Sequence, residues 1–220
     1  MTRTILILAL LLAAGTATAQ TDVLINEVDA DTPGTDVLEF VELYGAPFAA
    51  LDGLTVVLYN GNGDVSYDAF DLDGHALDAD GFFLLGNAGL VPAPSIVFGS
   101  NGLQNGADAV ALYQADGADF PNGTAVTTID LLDAVVYDTN EGDDAGLLVL
   151  LLPGQPQVNE DGAGNKDTHA NMRCPDGSGG ARVTSSIYQF LASPGVSNNQ
   201  SCEPIPNESL SWSGLKSRYR

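Results

Sequence analysis

Short runs of β-branched, aromatic and leucine residues recur along the chain at intervals of roughly 8 to 20 residues, and corners rich in Gly, Asn and Asp end nearly every one of them. Runs of this length are too short for amphipathic helices, and several alternate with a period of two. Residues 23–28 form the first. In residues 37–44, Glu39, Val41 and Leu43 fall on one side and Leu38, Phe40, Glu42 and Tyr44 on the other. Residues 54–60 run into Asn60-Gly61-Asn62-Gly63-Asp64, a hairpin corner built from residues that tolerate positive φ, and residues 65–72 read as the return strand. Further strands are expected at 81–86, 95–98, 109–113, 131–137, 147–152 and 187–191. About ten short strands without intervening helical patterns imply an all-β sandwich or barrel, not a βαβ fold. Residues 154–182 read instead as a long irregular excursion, Gly-, Asn- and Asp-rich.

The two ends differ from this body. Arg3, the apolar run 5–14 and Ala17-Thr18-Ala19 have the layout of a cleavable signal peptide over residues 1–19. No later stretch reads as a transmembrane helix. The expected organisation is therefore signal peptide 1–19, one β-sandwich domain over 20–200, and a tail over 203–220, where Pro204 and Pro206 break any strand. An exported chain meets an oxidising compartment, which favours pairing the only two cysteines, Cys174 and Cys202. Such a bridge would pin the C-terminal segment to the body.

Charge narrows the partners. There are 29 acids against 7 basic residues, and three of the basic ones lie in the last five positions. A body this anionic repels phosphate backbones, so no nucleic-acid partner is expected for it. It suits divalent cations, basic partners and high salt. A hydrophobic content of 45% excludes wholesale disorder and supports a real core.

Several runs, taken in order, resemble the lamin-tail domain family. Leu24-Ile25-Asn26-Glu27-Val28, Glu39-Phe40-Val41-Glu42-Leu43-Tyr44 and Leu51-Asp52-Gly53-Leu54 are similar to that family's opening strands and turn. Gly81 to Asn87, Asn105 to Tyr113, Leu132 to Tyr137 and Ser193-Pro194-Gly195-Val196-Ser197-Asn198 resemble its later strands and its closing segment. Arg173-Cys174-Pro175-Asp176-Gly177 is similar to an element of bacterial secreted members found alongside extracellular nucleases. The resemblance covers residues 22–199. Gly45 stands where the family has Asn, and Leu54 where it has Trp. The resemblance implies an immunoglobulin-like β-sandwich with long irregular loops, acting as an accessory or interaction domain with no catalytic residues of its own.

Candidate chemistry is sparse. There is no Gly-x-Ser-x-Gly, and only His75 and His169, both expected in loops, could serve as imidazole bases. Glu39 and Glu42 point to opposite faces and cannot form a glycosidase pair with each other. Glu39, beside Val41 and Leu43, is expected to be partly buried against loop amides or a cation. Calcium is the one cofactor the composition allows, through Asp29, Asp31, Asp36 and Glu39 around a single turn. Asp71, Asp73, Asp78 and Asp80, and the loop of Asn159, Asp161, Asn165 and Asp167, are further candidates; the plain alternative for all three sets is an acidic solvated surface. The tail, Ser211 to Arg220, gathers Trp212, Lys216, Arg218, Tyr219 and Arg220 at the end of an acidic chain. It could dock on its own body, act as a recognition or sorting tag, or do neither. Asn122, Asn199 and Asn207 begin glycosylation acceptor patterns, relevant only to a eukaryotic secretory route.

The expected function is that of a secreted, non-enzymatic interaction module binding an extracellular or cell-surface partner. The alternatives are a metal-dependent extracellular hydrolase and a calcium-bridged structural protein of the envelope.

Overall fold

The computed structural model describes residues 22–198 and Cys202; the expected signal peptide and the tail 203–220 lie outside them. Eleven strands follow in chain order: β1 (Leu24–Asp29), β2 (Phe40–Tyr44), β3 (Thr55–Asn60), β4 (Val65–Asp71), β5 (Phe82–Asn87), β6 (Ile96–Phe98), β7 (Asp108–Tyr113), β8 (Leu131–Asp138), β9 (Val158–Asn159), β10 (His169–Arg173) and β11 (Ile187–Leu191). They form two mixed sheets, ordered β11-β10-β1-β2-β5-β6 and β4-β3-β7-β8-β9. Most neighbours are antiparallel; β5–β6 and β8–β9 are parallel. The all-β sandwich expected from the strand spacing is what the chain forms.

Period-two alternation sends one set of side chains between the sheets. Ile25, Val41, Leu43 and Leu85 from the first sheet pack with Val56, Leu58, Val110, Leu112 and Val135 from the second. The outer faces are covered as well. On the second sheet, Val57, Tyr59, Tyr113 and Val136 are buried beneath Leu147, Leu150 and Leu151. On the first, Phe40, Leu84, Leu90, Ala170 and Met172 form a third apolar cluster. Burial on both faces explains why so many strands are apolar throughout rather than alternating apolar with polar.

The corner at Asn60–Asp64 makes the expected β3–β4 hairpin. Gly61 is required there: a Cβ would lie 2.2 Å from the Ala107 carbonyl oxygen. Between Ile25 and Glu27 the β1–β2 register shifts. This bulge turns the consecutive residues Asn26 and Glu27 away from the core and returns Val28 to it.

Two expectations need correction. Residues 147–152 are not a strand; Leu147–Leu150 is a 3-10 turn that roofs the outer face of the second sheet. A continuous apolar run has no period to separate the two cases. The stretch 154–182 is irregular only in part. It contains β9 and β10, and β10 lies inside the first sheet, paired with both β1 and β11. His169 opens β10 and does not sit in a loop.

Arg173, at the end of β10, ties the two sheets together. Its side chain is wholly buried, and its Nη2 reaches the carboxylate of Asp133 on β8 at 3.0 and 3.1 Å. Nε donates to the Ile25 carbonyl, and Nη1 to the carbonyls of Ser178, Gly180 and Val183. Asp133 also accepts from the amides of Ile25, Ala134 and Arg182. The Cys174–Cys202 disulfide forms as expected, across a sequence separation of 28.

Candidate functional site

The four acids expected around one turn are all buried, and Asp31, Asp36 and Glu39 are each engaged by the protein itself. Asp31 pairs with the Lys166 ammonium. Asp36 accepts from the Thr32 amide at 2.8 Å and from the Asn105 side chain at 3.1 Å. Glu39 accepts from the amides of Gly102 (2.8 Å) and Leu103 (3.0 Å), which fixes that loop against the start of β2. Burial pushes the Glu39 carboxyl up to about 7 against the pull of these amides. Asp29, whose Oδ1 is buried without a hydrogen-bond partner, lies beside Glu160, which accepts from the amides of Ala30 and Asp31. Burial, with the Glu160 charge next, holds Asp29 well above the usual carboxylate range. Among the described residues no group of three or more His, Cys, Asp or Glu is arranged to hold a metal ion.

The other acidic loops are braced internally. Asp71 accepts from the Asp73 amide, Asp73 from the Gly53 amide, and Asp78 from the amides of Asp80 and Phe82. Asp161 accepts from the Lys166 amide. Apart from Asp73, which joins two separate turns, these are turn-closing roles in which a short carboxylate replaces a backbone acceptor. His75 stacks edge-on against Phe83, ring centres 5.2 Å apart. His169 Nδ1 is buried without a hydrogen-bond partner.

A second polar cluster escaped the sequence reading. Glu27 on β1 and Glu42 on β2 stand directly opposite each other, both with no exposed surface. Glu27 accepts from the amide (2.8 Å) and hydroxyl (2.9 Å) of Ser193, and Glu42 from the amide of Gly195 (2.6 Å) and from Asn26 Nδ2 (3.0 Å). Asn26 extends the net to Asp176 and accepts from the Gly177 amide. Burial drives Glu27 up to about 8 and Glu42 to about 9, the donors pulling the other way. The available signal is a carboxylate flanked by core residues in each of two strands, a position that demands donors. The net stitches the closing segment 193–198 onto the first sheet.

Two depressions among the described residues are lined in large part by apolar side chains. A groove of about 490 Å³ crosses the outer side of the first sheet, lined by Pro33, Leu38, Phe40, Leu90, Val91 and Pro194 among others. Val91 is 87% exposed and Leu38 42%. A second depression, about 610 Å³, lies at the start of β1 beside Tyr44, Pro47 and Asp176. Set against models of known families, curated proteins and solved structures, the chain matches none.

Proposed function

We propose that this chain is a secreted, non-catalytic interaction module of the lamin-tail kind, an immunoglobulin-like sandwich that binds an extracellular or cell-surface partner through its rims and loops. One observation carries the reading. The buried ionisable groups that could have served chemistry serve architecture instead. Arg173, Asp133, Glu27, Glu42 and Glu39 each hold a loop or strand in place. Loops braced in this way are pre-organised, which lowers the ordering cost of recognition. Exposed Tyr188 and Leu191 on the edge strand β11 offer contact area of the type that interfaces favour. A disulfide between the only two cysteines supports an oxidising compartment.

The test is a substrate panel of DNA, phosphoesters and glycans, run on the mature protein with millimolar calcium and again with chelator. No turnover is expected in either condition. Chelator-sensitive turnover that a single acidic substitution abolishes would replace this reading with a metal-dependent hydrolase.

A further inference from the structure

We propose that the apolar groove on the outer side of the first sheet is occupied by the chain's own C-terminal segment, Ser211 to Arg220, with Trp212 seated in it.

Three observations lead there. The first is where the described chain ends. Cys174 packs against the cluster of Phe40, Leu84, Leu90 and Met172, and Phe40 and Leu90 also form the groove's wall. The disulfide places the Cys202 Cα 5.2 Å from that of Cys174. The chain therefore leaves the body on the groove's side of the first sheet, at the opposite end of β10 from Asp167 and Thr168, which line the groove. The ten residues from Cys202 to Trp212 can span up to about 35 Å, so reach is not limiting.

The second is chemical fit. Pro33, Leu38, Phe40, Leu90, Val91 and Pro194 give the groove a largely apolar lining, and the exposed Asp167, 3.4 Å from the Lys166 ammonium, forms part of its rim. The segment offers Trp212, Leu215 and Tyr219 for the lining and Lys216, Arg218 and Arg220 for the rim. Aromatic anchors in an apolar groove with charges outside is the arrangement that concentrates binding energy.

The third is charge balance. All but two of the 29 acids, Glu203 and Glu208, lie in the described body. Its three cations are already engaged: Lys166 with Asp31, Arg173 with Asp133, and Arg182 with the carbonyls of Val149, Leu150 and Leu151. The three cations of Ser211 to Arg220 meet an anionic surface with no free positive charge among the described residues. That favours docking on the same molecule over repulsion from it.

Trp212 is the only tryptophan in the chain, so its fluorescence reads this contact alone. In the full mature protein its emission is expected to be blue-shifted from that of the guanidinium-unfolded chain, with several-fold weaker acrylamide quenching and no dependence on protein concentration. Leu38→Glu and Val91→Glu together should move the emission to the red while circular dichroism stays unchanged. Ile129→Glu, at a residue 73% exposed and outside the groove lining, should leave it in place. An exposed-indole spectrum in the unmutated protein overturns the proposal. So does a blue-shifted one that ignores the groove substitutions, or that follows Ile129→Glu equally. Concentration-dependent emission would assign the groove to the segment of a second copy and overturn docking within one molecule.

Discussion

Arg173 and Asp133 meet at 3.0 Å with neither side chain exposed to solvent, one on a strand of each sheet. Desolvating two charges is costly, so this contact stabilises only because every donor and acceptor around it is matched. The guanidinium serves four backbone carbonyls besides the carboxylate, and Asp133 takes three backbone amides besides the guanidinium. The pair is a clamp between layers.

Removing one half of the clamp should therefore hurt far more than its net contribution. Asp133→Ala strands a buried guanidinium and three amides, and a loss of about 3–5 kcal/mol is expected. Urea denaturation followed by far-ultraviolet circular dichroism measures it. A loss under about 1 kcal/mol would mean that water reaches the site and the clamp is not sealed.

The disulfide closes a loop of nearly thirty residues that begins just after β10 and includes all of β11. On the chain-entropy account, reduction or paired Cys174→Ser and Cys202→Ser substitution should lower stability by about 3–4 kcal/mol. Denaturation with and without reductant gives the difference. Equal midpoints would show that the hydrogen bonds of Ser193 and Gly195 suffice to hold the closing segment.

Stability should decline with rising pH. Glu27 and Glu42 keep their protons up to about 8 and about 9 in the fold, against an ordinary 4.5. Groups raised in the folded state favour it fully only below about 4.5, and that contribution drains away as pH climbs through their folded values. The thermal midpoint at pH 5 should exceed that at pH 9 by at least about 5 °C. Glu42→Gln, which carries no charge at either pH, should flatten the slope. A slope unchanged in that variant would trace the effect to general repulsion among the surface acids.

Glu39→Ala removes the acceptor for the Gly102 and Leu103 amides. Buried donors left unmatched cost about 1–3 kcal/mol each. Faster hydrogen exchange confined to residues near 102–103 is the expected signature, with the rest of the first sheet protected as before.

Much of the fold was legible because corner chemistry and alternation are local. Asn60-Gly61-Asn62-Gly63-Asp64 encodes its hairpin within five residues, and the 37–44 pattern correctly separates Val41 and Leu43 from Phe40 and Glu42. β10 was illegible for the opposite reason. His169-Ala170-Asn171-Met172-Arg173 has little intrinsic strand character; pairing on both sides and the Arg173 clamp make it a strand, and one of its partners, β1, lies at the other end of the described chain. The buried carboxylates divide along the same line. Glu39 was expected against loop amides and lies there. The partners of Glu27 and Glu42, at Ser193 and Gly195, come from 166 and 153 residues away, beyond any local pattern.

The roofing of both outer faces has an evolutionary corollary. Leu147, Leu150 and Leu151 above one sheet, and Phe40, Leu90 and Met172 above the other, give the molecule three apolar strata. Damage is thereby compartmentalised. A truncated side chain in a flanking stratum loosens one flank and spares the central seam, so drift that would be lethal between the sheets can accumulate on either side of them.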